Sequence, residues 1–346
     1  MINVSILGAT GAVGQRFVQI LSEHPWFKIS SIFASEKKRG EKYKNAVKWI
    51  LEGGIPESIA DLPLLSLERD EPEKIVFSAL PSSIAFDVEE RLSKNGHYVF
   101  SNASSHRYDD FVPIVVPEVN PEHLEAIRYQ KRKGVIVTNP NCSTAGLVIP
   151  LKPIMDRFGI EKVTLFTMQA LSGAGFPGVP SLSILDNIIP YIEKEEEKIK
   201  VESKKILGKF NGKFVPGSFK VYARCNRVMV RDGHTEVVFV KTEKNPSLSE
   251  LKNSFIEFNG LPQKLHLPTA PEKPIVVREE IDRPQPFFDR FNGKGMSVTV
   301  GRIEKLEENF FTFTLISHNT IRGAAGGSIL NLELALKSNL LEGVYV

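Results

Sequence analysis

The stretch NPNCST at residues 139–144 holds the side chain best suited to covalent chemistry, the thiol of Cys142. A thiolate is a good nucleophile for acyl transfer, because the thioester it forms resists water yet stays open to attack by hydride or phosphate. A helix start lowers the pKa of a neighbouring thiol, and the pattern predicts a helix beginning near Ser143–Thr144. Considered alone, Cys142 fits a packed core position equally well. Cys225, inside the strand-like run YARCNRV, is interpreted as structural.

A histidine and an arginine further along the chain are candidates for the same chemistry. Asp232–Gly233 predicts a hairpin turn between two β-rich runs, and His234 follows it directly. A histidine beside a turn is commonly a surface residue, so only closeness to Cys142 would make His234 an acid or base. Arg227 stands in a run otherwise dominated by apolar residues, which indicates a buried partner or an anionic ligand.

Gly8, Gly11 and Gly14 form a G-x-x-G-x-x-G turn between a short apolar strand and a helix. Such a turn lets backbone N–H groups approach a pyrophosphate, which the positive end of the helix dipole also attracts. The position of the turn between strand and helix favours dinucleotide binding. The alternative is a glycine turn required only for close packing of the helix on the strand.

The stretch ASEKKRG at the end of the second predicted strand bears on the choice of dinucleotide. An NAD site places a carboxylate there for the ribose 2′-OH, whereas NADP requires hydroxyl and cationic groups for the 2′-phosphate. Beside a single acid, Glu36, the stretch offers Ser35, Lys37, Lys38 and Arg39. NADP is therefore favoured, although Glu36 leaves NAD open and the lysines also suit a solvated loop.

Strands alternate with helices over residues 1–140, which predicts a parallel, doubly wound α/β sheet of the Rossmann type. Within this half, VPIVVPEVN (112–120) predicts a strand and NPEHLEAIRYQKRKG (120–134) a helix with Asn120 as N-cap. The second half is predicted to be an α+β domain. TIRGAAGGSILNLELALKS (320–338) predicts a glycine-rich turn followed by an amphipathic helix.

The charged run EKEEEKIKVESKK lies within a helix predicted over about 191–207. At about 100° per residue, one apolar stripe of this helix consists of Ile192, Ile199 and Ile206. One border of the stripe carries Glu195, Lys198, Glu202 and Lys205. A charge at the edge of a buried interface needs a partner or a ligand, whereas the alternative is a solvated face with ion pairs.

Length and composition limit the class of protein. A chain of 346 residues exceeds the usual single-core limit and predicts two domains. A formal net charge of +3 without a basic block gives no support for nucleic-acid binding. The two cysteines lack metal-ligand or disulfide spacing, and the first segment predicts a strand rather than a signal peptide. With no apolar run long enough for a membrane, we expect a cytoplasmic protein without a metal.

Ordered motifs along nearly the whole chain resemble the aspartate-β-semialdehyde dehydrogenase family, in its archaeal and fungal-like branch. In the first part these motifs are GATGAVG (8–14), SNASSHRYD (101–109), PEVN (117–120) and NPNCST (139–144). Further along they are QALSGAGFPG (169–178), EEEKIKVESKKILG (195–208), RVMVRDGH (227–234) and HNTIRGAAGG (318–327).

The resemblance implies an NADP-binding Rossmann domain at residues 1–141 and a catalytic and dimerisation domain at 142–318. A C-terminal helix within 319–346 would pack back on the first domain. The implied reaction is reversible, NADPH-dependent reductive dephosphorylation of β-aspartyl phosphate to aspartate-β-semialdehyde. It serves the biosynthesis of lysine through diaminopimelate, and of threonine, methionine and isoleucine. The protein would be a homodimer or homotetramer that acts on small molecules and binds neither nucleic acid nor membranes.

The same resemblance implies roles for particular residues. The catalytic residues are Cys142 as nucleophile, His234 as general acid/base and Gln169, which orients the acyl intermediate. The substrate-binding residues are Arg227 for the α-carboxylate, Glu195 for the ammonium, Arg107 and Lys198 for phosphate, and Asn141. The cofactor-binding residues are Gly8, Thr10, Gly11, Ala12, Val13, Ser35, Lys38, Leu80, Ser172, Gly173 and Asn319.

Two other functions are alternatives. Archaeal malonyl-CoA reductases resemble the same family in the glycine turn, the cysteine and the histidine, but their substrate has neither an α-ammonium nor an α-carboxylate. The presence of Glu195, Lys198 and Arg227 favours the amino-acid substrate. A nucleotide-sensing module without catalysis would bind NADP, and its cysteine would not be acylated by substrate.

Overall fold

The computed structural model of the chain describes residues 1–344, which fall into two compact units. Residues 345–346, the end of the predicted C-terminal segment 319–346, lie outside the described residues. The first unit contains Met1–Val115, Glu122–Asn139 and the chain from Ala324 onward. The second unit contains Val116–Pro121 and Pro140–Gly323.

The first unit is built on a parallel sheet. Its strands are β1 (Ile2–Leu7), β2 (Phe27–Phe33), β3 (Leu64–Leu65), β4 (Ile75–Ser78), β5 (Tyr98–Ser101) and β6 (Val135–Thr138). The helices between them are α1 (Ala12–Leu21), α2 (Tyr43–Ala46), α3 (Glu57–Ala60) and α4 (Ser82–Lys94), with 3₁₀ helices at Glu36–Lys38 and Pro121–Tyr129. The strand order β3-β2-β1-β4-β5-β6, parallel throughout, confirms the predicted doubly wound Rossmann sheet.

Burial on both faces explains why short apolar runs form this sheet. Val4 and Ile6 of β1 are fully buried, and α1 packs against β1 through a helix face that buries Phe17 and Val18. The ring of Phe17 stacks on Phe77 of β4 at a centroid distance of 4.9 Å. Parallel strands covered by helices on both faces are mainly apolar, and β4 (IVFS) and β6 (VIVT) show this most clearly.

The second unit is built on a mixed sheet. Its strands are β7 (Lys162–Gln169), β8 (Lys209–Phe210), β9 (Phe214–Val215), β10 (Lys220–Arg227), β11 (His234–Lys241), β12 (Ile275–Val277), β13 (Val298–Glu307) and β14 (Phe310–Ser317). Its helices are α5 (Cys142–Phe158), α6 (Ser181–Ile184), α7 (Glu195–Ile206), α8 (Leu248–Ile256), α9 (Leu261–Lys264) and α10 (Pro286–Asp289), with 3₁₀ helices at Leu171–Ala174 and Asn292–Gly295. The main sheet has the order β10-β7-β11-β14-β13-β12, and α5, α7 and α8 pack on one face of it. This is the predicted α+β arrangement.

The C-terminal helix α11 (Gly326–Lys337) follows a π-helical turn at Ile321–Ala325 and belongs to the first unit. It packs against β5 and α1, and its residues are buried from Gly326 to Leu336. The prediction of an amphipathic helix is therefore wrong. Two of its buried polar side chains have partners: Glu333 Oε1 bonds His24 Nε2 at 2.8 Å, and Asn331 Nδ2 donates to Asn139 Oδ1 at 2.7 Å.

The hairpin predicted at Asp232–Gly233 is also wrong. β10 and β11 do not pair with each other; β7 lies between them, parallel to β10 and antiparallel to β11. A turn does precede His234, since Gly233 has a φ of +99°. The turn residues determine only the local backbone, however, and not which strand pairs with β11. That strand is β7, whose buried side chains lie in register with those of β10 and β11.

Two further local predictions differ from the structure. Residues 112–120, all of them described, form a single bridge from Ile114 to Thr138 rather than a strand. Pro113 and Pro117 explain this, because proline has no N–H to donate to a ladder. The charged helix α7 begins at Glu195 rather than near residue 191, since Lys194 has a left-handed φ of +58°, and Ile192 lies outside the helix.

The close approach of α1 to β1 yields a first prediction. A Cβ at Gly14 would lie 2.1 Å from Gly8 O and 2.7 Å from Ala9 Cα, which leaves no space for a methyl group. We expect Gly14→Ala to lower the free energy of unfolding by at least about 2 kcal/mol, measured by urea denaturation. Gly54→Ala is the matched control, because a Cβ there meets nothing within 4 Å. Equal denaturation midpoints for the two variants would contradict the packing argument.

Candidate active site

Cys142 is the first residue of α5. Asn141 caps this helix, since its Oδ1 accepts hydrogen bonds from the backbone N–H groups of Ser143 and Thr144, at 3.1 Å each. The thiol therefore lies at the positive end of the helix dipole, where a thiolate is stabilised. Gly323 packs against this turn, because a Cβ there would lie 2.7 Å from Cys142 Cβ.

His234 is the imidazole partner of this thiol. It is the first residue of β11 and fully buried, and its Nε2 lies 3.1 Å from Cys142 Sγ. The backbone N–H of Ala170 donates to its Nδ1 at 3.0 Å, so Nδ1 is the acceptor and Nε2 carries the proton that faces sulfur. Burial, together with the positive charge of Arg227, lowers the pKa of His234 to about 3. The imidazole is therefore neutral and acts as a hydrogen-bond donor towards the sulfur.

Polar side chains follow one another across the sheet where β10, β7 and β11 meet the start of α5. Arg227 at the end of β10 is paired in register with Gln169 at the end of β7, and His234 of β11 is paired with Ser317 of β14. The register of β11 on β7 brings Thr235 opposite Met168, so His234 comes next to Gln169. Four strand ends thus line up polar groups that are far apart in the sequence.

Arg227 brings a positive charge to this group. It is buried and its Nη1 donates to Ala170 O at 2.7 Å. Burial lowers the pKa of Arg227, while the negative charges of Cys142 and Glu195 act in the opposite direction. Gly173 leaves room for the guanidinium, because a Cβ there would lie 2.7 Å from Nη1.

The charged helix α7 contributes carboxylates beside the nucleophile. Glu195 is buried, and its Oε1 accepts from Asn141 Nδ2 at 2.6 Å, while its Oε2 lies 3.7 Å from Lys198 Nζ. Glu202, one border position further on, is fully buried, and its Oε2 accepts from the backbone N–H of Asn141 at 2.5 Å. The border of the predicted apolar stripe therefore points at the residue that precedes Cys142.

Ser172, Gly173 and Asn319, predicted to contact the nicotinamide, lie around the turn that leads into His234. Asn319 Oδ1 accepts from the Gly233 N–H at 2.9 Å, and its Nδ2 donates to Ser172 Oγ at 2.8 Å. These contacts link the segment after β7 with the segment after β14.

A nucleotide-sized cleft of about 770 Å³ lies within the first unit. Of the predicted cofactor residues, it is lined by Gly8, Thr10, Gly11, Ser35, Lys38 and Leu80. Ala12 and Val13 belong to the first turn of α1, whose N-cap Gly11 provides no side-chain cap, so no cap side chain competes with an anion for the N–H groups of this turn. Gly8 has a φ of +75° and its missing Cβ would lie 2.7 Å from Ala79 O, so the turn fits a dinucleotide and requires glycine.

The charged residues after β2 border the same cleft. Glu36 lines it and pairs with Arg69 Nε at 3.0 Å through Oε1, while its buried Oε2 has no hydrogen-bond partner among the described residues. Arg39 is engaged elsewhere, in a bidentate pair with Asp70 at 2.8 Å for both bonds, which lowers the pKa of Asp70 to about 2. Lys38 is the cation of this stretch that lines the cleft.

Arg107, predicted to bind phosphate, belongs to the first unit. It is buried and its Nη2 donates to Asn102 O at 3.1 Å.

Comparison with known proteins decides the family. Residues 3–127 match the family described as semialdehyde dehydrogenase, NAD binding domain, and residues 151–322 match semialdehyde dehydrogenase, dimerisation domain. The aspartate-semialdehyde dehydrogenase of Archaeoglobus fulgidus is 51% identical over 98% of this chain and 99% of its own length. That of Saccharomyces cerevisiae is 43% identical over 97% and 98%. The crystal structure of the Candida albicans aspartate semialdehyde dehydrogenase with NADP superimposes with a TM-score of 0.90, at 40% identity over 98% of this chain and 99% of that one.

The chain belongs to the aspartate-semialdehyde dehydrogenase family. The resemblance inferred from the motifs is confirmed, and so are the Rossmann sheet and the assignment to the oxidoreductases. Among the described helices of this aspartate-semialdehyde dehydrogenase family member, none has the length and hydropathy that a bilayer span requires.

Some residues of this aspartate-semialdehyde dehydrogenase site were not predicted. Glu202 was placed on the border of the helix stripe without a role, although its spacing from Glu195 was the signal. Gly323 lay inside a quoted motif, and only packing shows that it contacts Cys142. The hydrogen bond from the Ala170 N–H to His234 could not be predicted from side-chain patterns, because any residue except proline supplies a backbone N–H.

The pKa of His234 predicts how stability depends on pH. An imidazole titrates near 6.5 when unperturbed and at about 3 here, so between these values the unfolded chain binds the extra proton. The contribution of the neutral His234 to the free energy of unfolding is complete above about pH 6.5. It falls by up to about 1.4 kcal/mol per pH unit as the pH drops towards about 3. We expect the Tm advantage of the wild type over His234→Asn to shrink as the pH is lowered, measured by calorimetry. His266→Asn, at an exposed histidine, is the control, and a wild-type advantage that does not change with pH would contradict the buried neutral imidazole.

Proposed function

We propose that this chain is an NADP-dependent aspartate-semialdehyde dehydrogenase that forms aspartate-β-semialdehyde from β-aspartyl phosphate through a thioester on Cys142. The observation that carries the proposal is the distance of 3.1 Å between Cys142 Sγ and His234 Nε2 at the start of a helix. A module that only binds nucleotide needs neither a buried imidazole nor a capped thiol.

The first step is attack of the Cys142 thiolate on the carbonyl carbon of the acyl phosphate. The S–C bond forms, the C–O bond to phosphate breaks, and phosphate leaves with the electron pair. The helix start and the Nε2–H of His234 stabilise the thiolate before attack. Gln169 is assigned to orienting the acyl group, which its burial next to His234 in the sheet supports.

When bound, NADPH supplies the hydride that reduces the thioester carbonyl. The oxygen on the carbon bonded to sulfur then carries negative charge. His234 Nε2, already within hydrogen-bonding distance of the sulfur, donates to this oxygen. Release of the aldehyde breaks the S–C bond and restores the thiolate of Cys142.

Substrate recognition is assigned to the charged groups around the nucleophile. Arg227 takes the α-carboxylate, which its burial beside Cys142 supports, because a buried guanidinium binds carboxylate strongly. Glu195 takes the α-ammonium, and Lys198 and Arg107 bind phosphate. Malonyl-CoA has a free carboxylate but no ammonium group, so Glu195 is the residue that favours the amino-acid substrate over the CoA ester.

The cofactor is assigned to the cleft lined by Gly8, Gly11 and Lys38. The pairing of Glu36 with Arg69 supports NADP, because the acid that would favour NAD is partly neutralised. Glu36 Oε2 remains an acceptor for a ribose hydroxyl. Ser172, Gly173 and Asn319 are assigned to the nicotinamide, next to His234.

We further infer a homodimer, or a tetramer made of two, in the cytoplasm. The chain carries a dimerisation domain, and the sheet face opposite α5 leaves Phe166 and Tyr222 about half exposed, at 46% and 52%. Residues 1–141, with the C-terminal segment, are assigned to NADP binding and residues 142–318 to catalysis and dimerisation.

The identity of the nucleophile is tested with the two cysteines. We expect Cys142→Ser to lower kcat for NADPH formation from aspartate semialdehyde and phosphate by more than about a thousandfold. Cys225→Ala is the control and keeps activity, since burial raises the pKa of Cys225 to about 12 and leaves it unreactive. Full activity of Cys142→Ser would refute the mechanism, and faster turnover of malonyl-CoA by the wild type would favour the reductase alternative.

The role of Arg227 is tested by a change that keeps its charge. A lysine ammonium cannot donate two parallel hydrogen bonds to the α-carboxylate of the substrate as a guanidinium can. We therefore expect Arg227→Lys to raise KM for aspartate semialdehyde about 10- to 100-fold. KM for NADP and the melting curve should stay as in the wild type. Arg231→Lys, at an exposed arginine four residues on, is the control. An unchanged KM for the semialdehyde would remove Arg227 from substrate recognition.

A further inference from the structure

Glu202 is a buried carboxylate that the mechanism does not use. It lies in the middle of α7 with no exposed surface, and its Oε2 accepts a hydrogen bond of 2.5 Å from the backbone N–H of Asn141. Burying a carboxylate is unfavourable unless hydrogen bonds satisfy it. Glu202 is charged in type and fully buried although its helix also carries exposed charge, and this indicates a specific role for its side chain.

That hydrogen bond ends at the residue directly before the nucleophile. Asn141 is held at three groups: its N–H by Glu202, its Nδ2 by Glu195 Oε1 at 2.6 Å, and its Oδ1 by the N–H groups that it caps. Helix α7 therefore fixes both the backbone and the side chain of Asn141. The position of Cys142 depends on both, because it follows Asn141 and opens the helix that Asn141 caps.

Loss of the Glu202 contact would leave the Asn141 N–H buried without this acceptor. A buried donor without its acceptor is unfavourable, so the peptide would turn to find another. Any such rotation moves Cys142 relative to His234, which β11 and Ala170 hold in place. Displacement of a reacting atom by about 1 Å is enough to lower a rate about a hundredfold.

We propose that Glu202 is a positioning residue of this active site, which acts through Asn141 to hold Cys142 against His234. The proposal rests on the assignment of Cys142 as nucleophile. This role depends on the length of the Glu202 side chain rather than on its charge, because the Asn141 N–H needs an acceptor oxygen at hydrogen-bonding distance.

Two substitutions at Glu202 separate the effect of side-chain length from the effect of charge. Glu202→Gln keeps an oxygen at the same distance and removes the charge, whereas Glu202→Asp keeps the charge and shortens the side chain. We expect Glu202→Asp to slow iodoacetamide labelling of Cys142 and to lower kcat, each by about tenfold or more, with KM for NADP unchanged. Glu202→Gln should stay within about threefold of the wild type in both. Glu197→Gln, at an exposed acid of the same helix, is the control.

The proposal is overturned if Glu202→Asp labels and turns over like the wild type, or if Glu202→Gln is the more damaged variant. The first result would leave Glu202 a role in packing α7 alone, and the second a role through its charge. If Glu202→Asp does not fold, the test rests on Glu202→Gln. Loss of Cys142 labelling in a Glu202→Gln protein that melts as the wild type does would refute the positioning role, and labelling at the wild-type rate would support it. Labelling needs neither substrate nor cofactor, so a wild type inactive on aspartate semialdehyde would refute the proposed function while the labelling test still holds.

Discussion

The contact between Cys142 Sγ and His234 Nε2 depends on the first turn of α5. A thiolate is stabilised there because the positive end of the helix dipole and the neutral Nε2–H of His234 both favour negative charge on the sulfur. The capping bonds of Asn141 keep that turn intact, and Ala170 keeps the imidazole in the tautomer that can donate. If either of these backbone contacts were lost, the sulfur would no longer face a donor.

Burial determines how the ionisable groups of the second unit behave. Burial pushes the pKa of His234 down and that of Glu236 well up, so it favours the neutral form of both groups, which lie two residues apart on β11. Arg227 keeps a charge among them, with Cys142 and Glu195 nearby. The polar groups follow one another across four strand ends and continue into the next buried row, where Glu236 is paired with Thr167. The buried row behind that one, with Leu165 paired with Val238, is hydrocarbon.

Helix α7 shows that a highly charged sequence need not be a solvated one. Ile199 and Ile206 fix the face that is buried, and the acids on its border, Glu195 and Glu202, reach Asn141 instead of water. The charges that point away, such as Glu197, are exposed. The same run of glutamates thus contains solvated residues and residues that hold the nucleophile in place.

The sequence by itself determined what depends on short windows. Alternating strands and helices predicted the Rossmann sheet, the glycine turn predicted the dinucleotide cleft, and the motif around Cys142 placed the cysteine at a helix start. Helical periodicity also identified the border of α7 that is buried. Each of these properties follows from propensity, capping or the period of apolar residues within about twenty positions.

The tertiary structure alone decided the contacts between distant segments. Cys142 and His234 are 92 residues apart, and β7 joins them to Arg227 by lying between β10 and β11, where turn chemistry predicted a hairpin. The tautomer of His234 rests on a backbone N–H, which no side-chain pattern records. The C-terminal helix was expected to be amphipathic and is buried on all sides, because its surroundings rather than its own sequence decide which of its faces meets water.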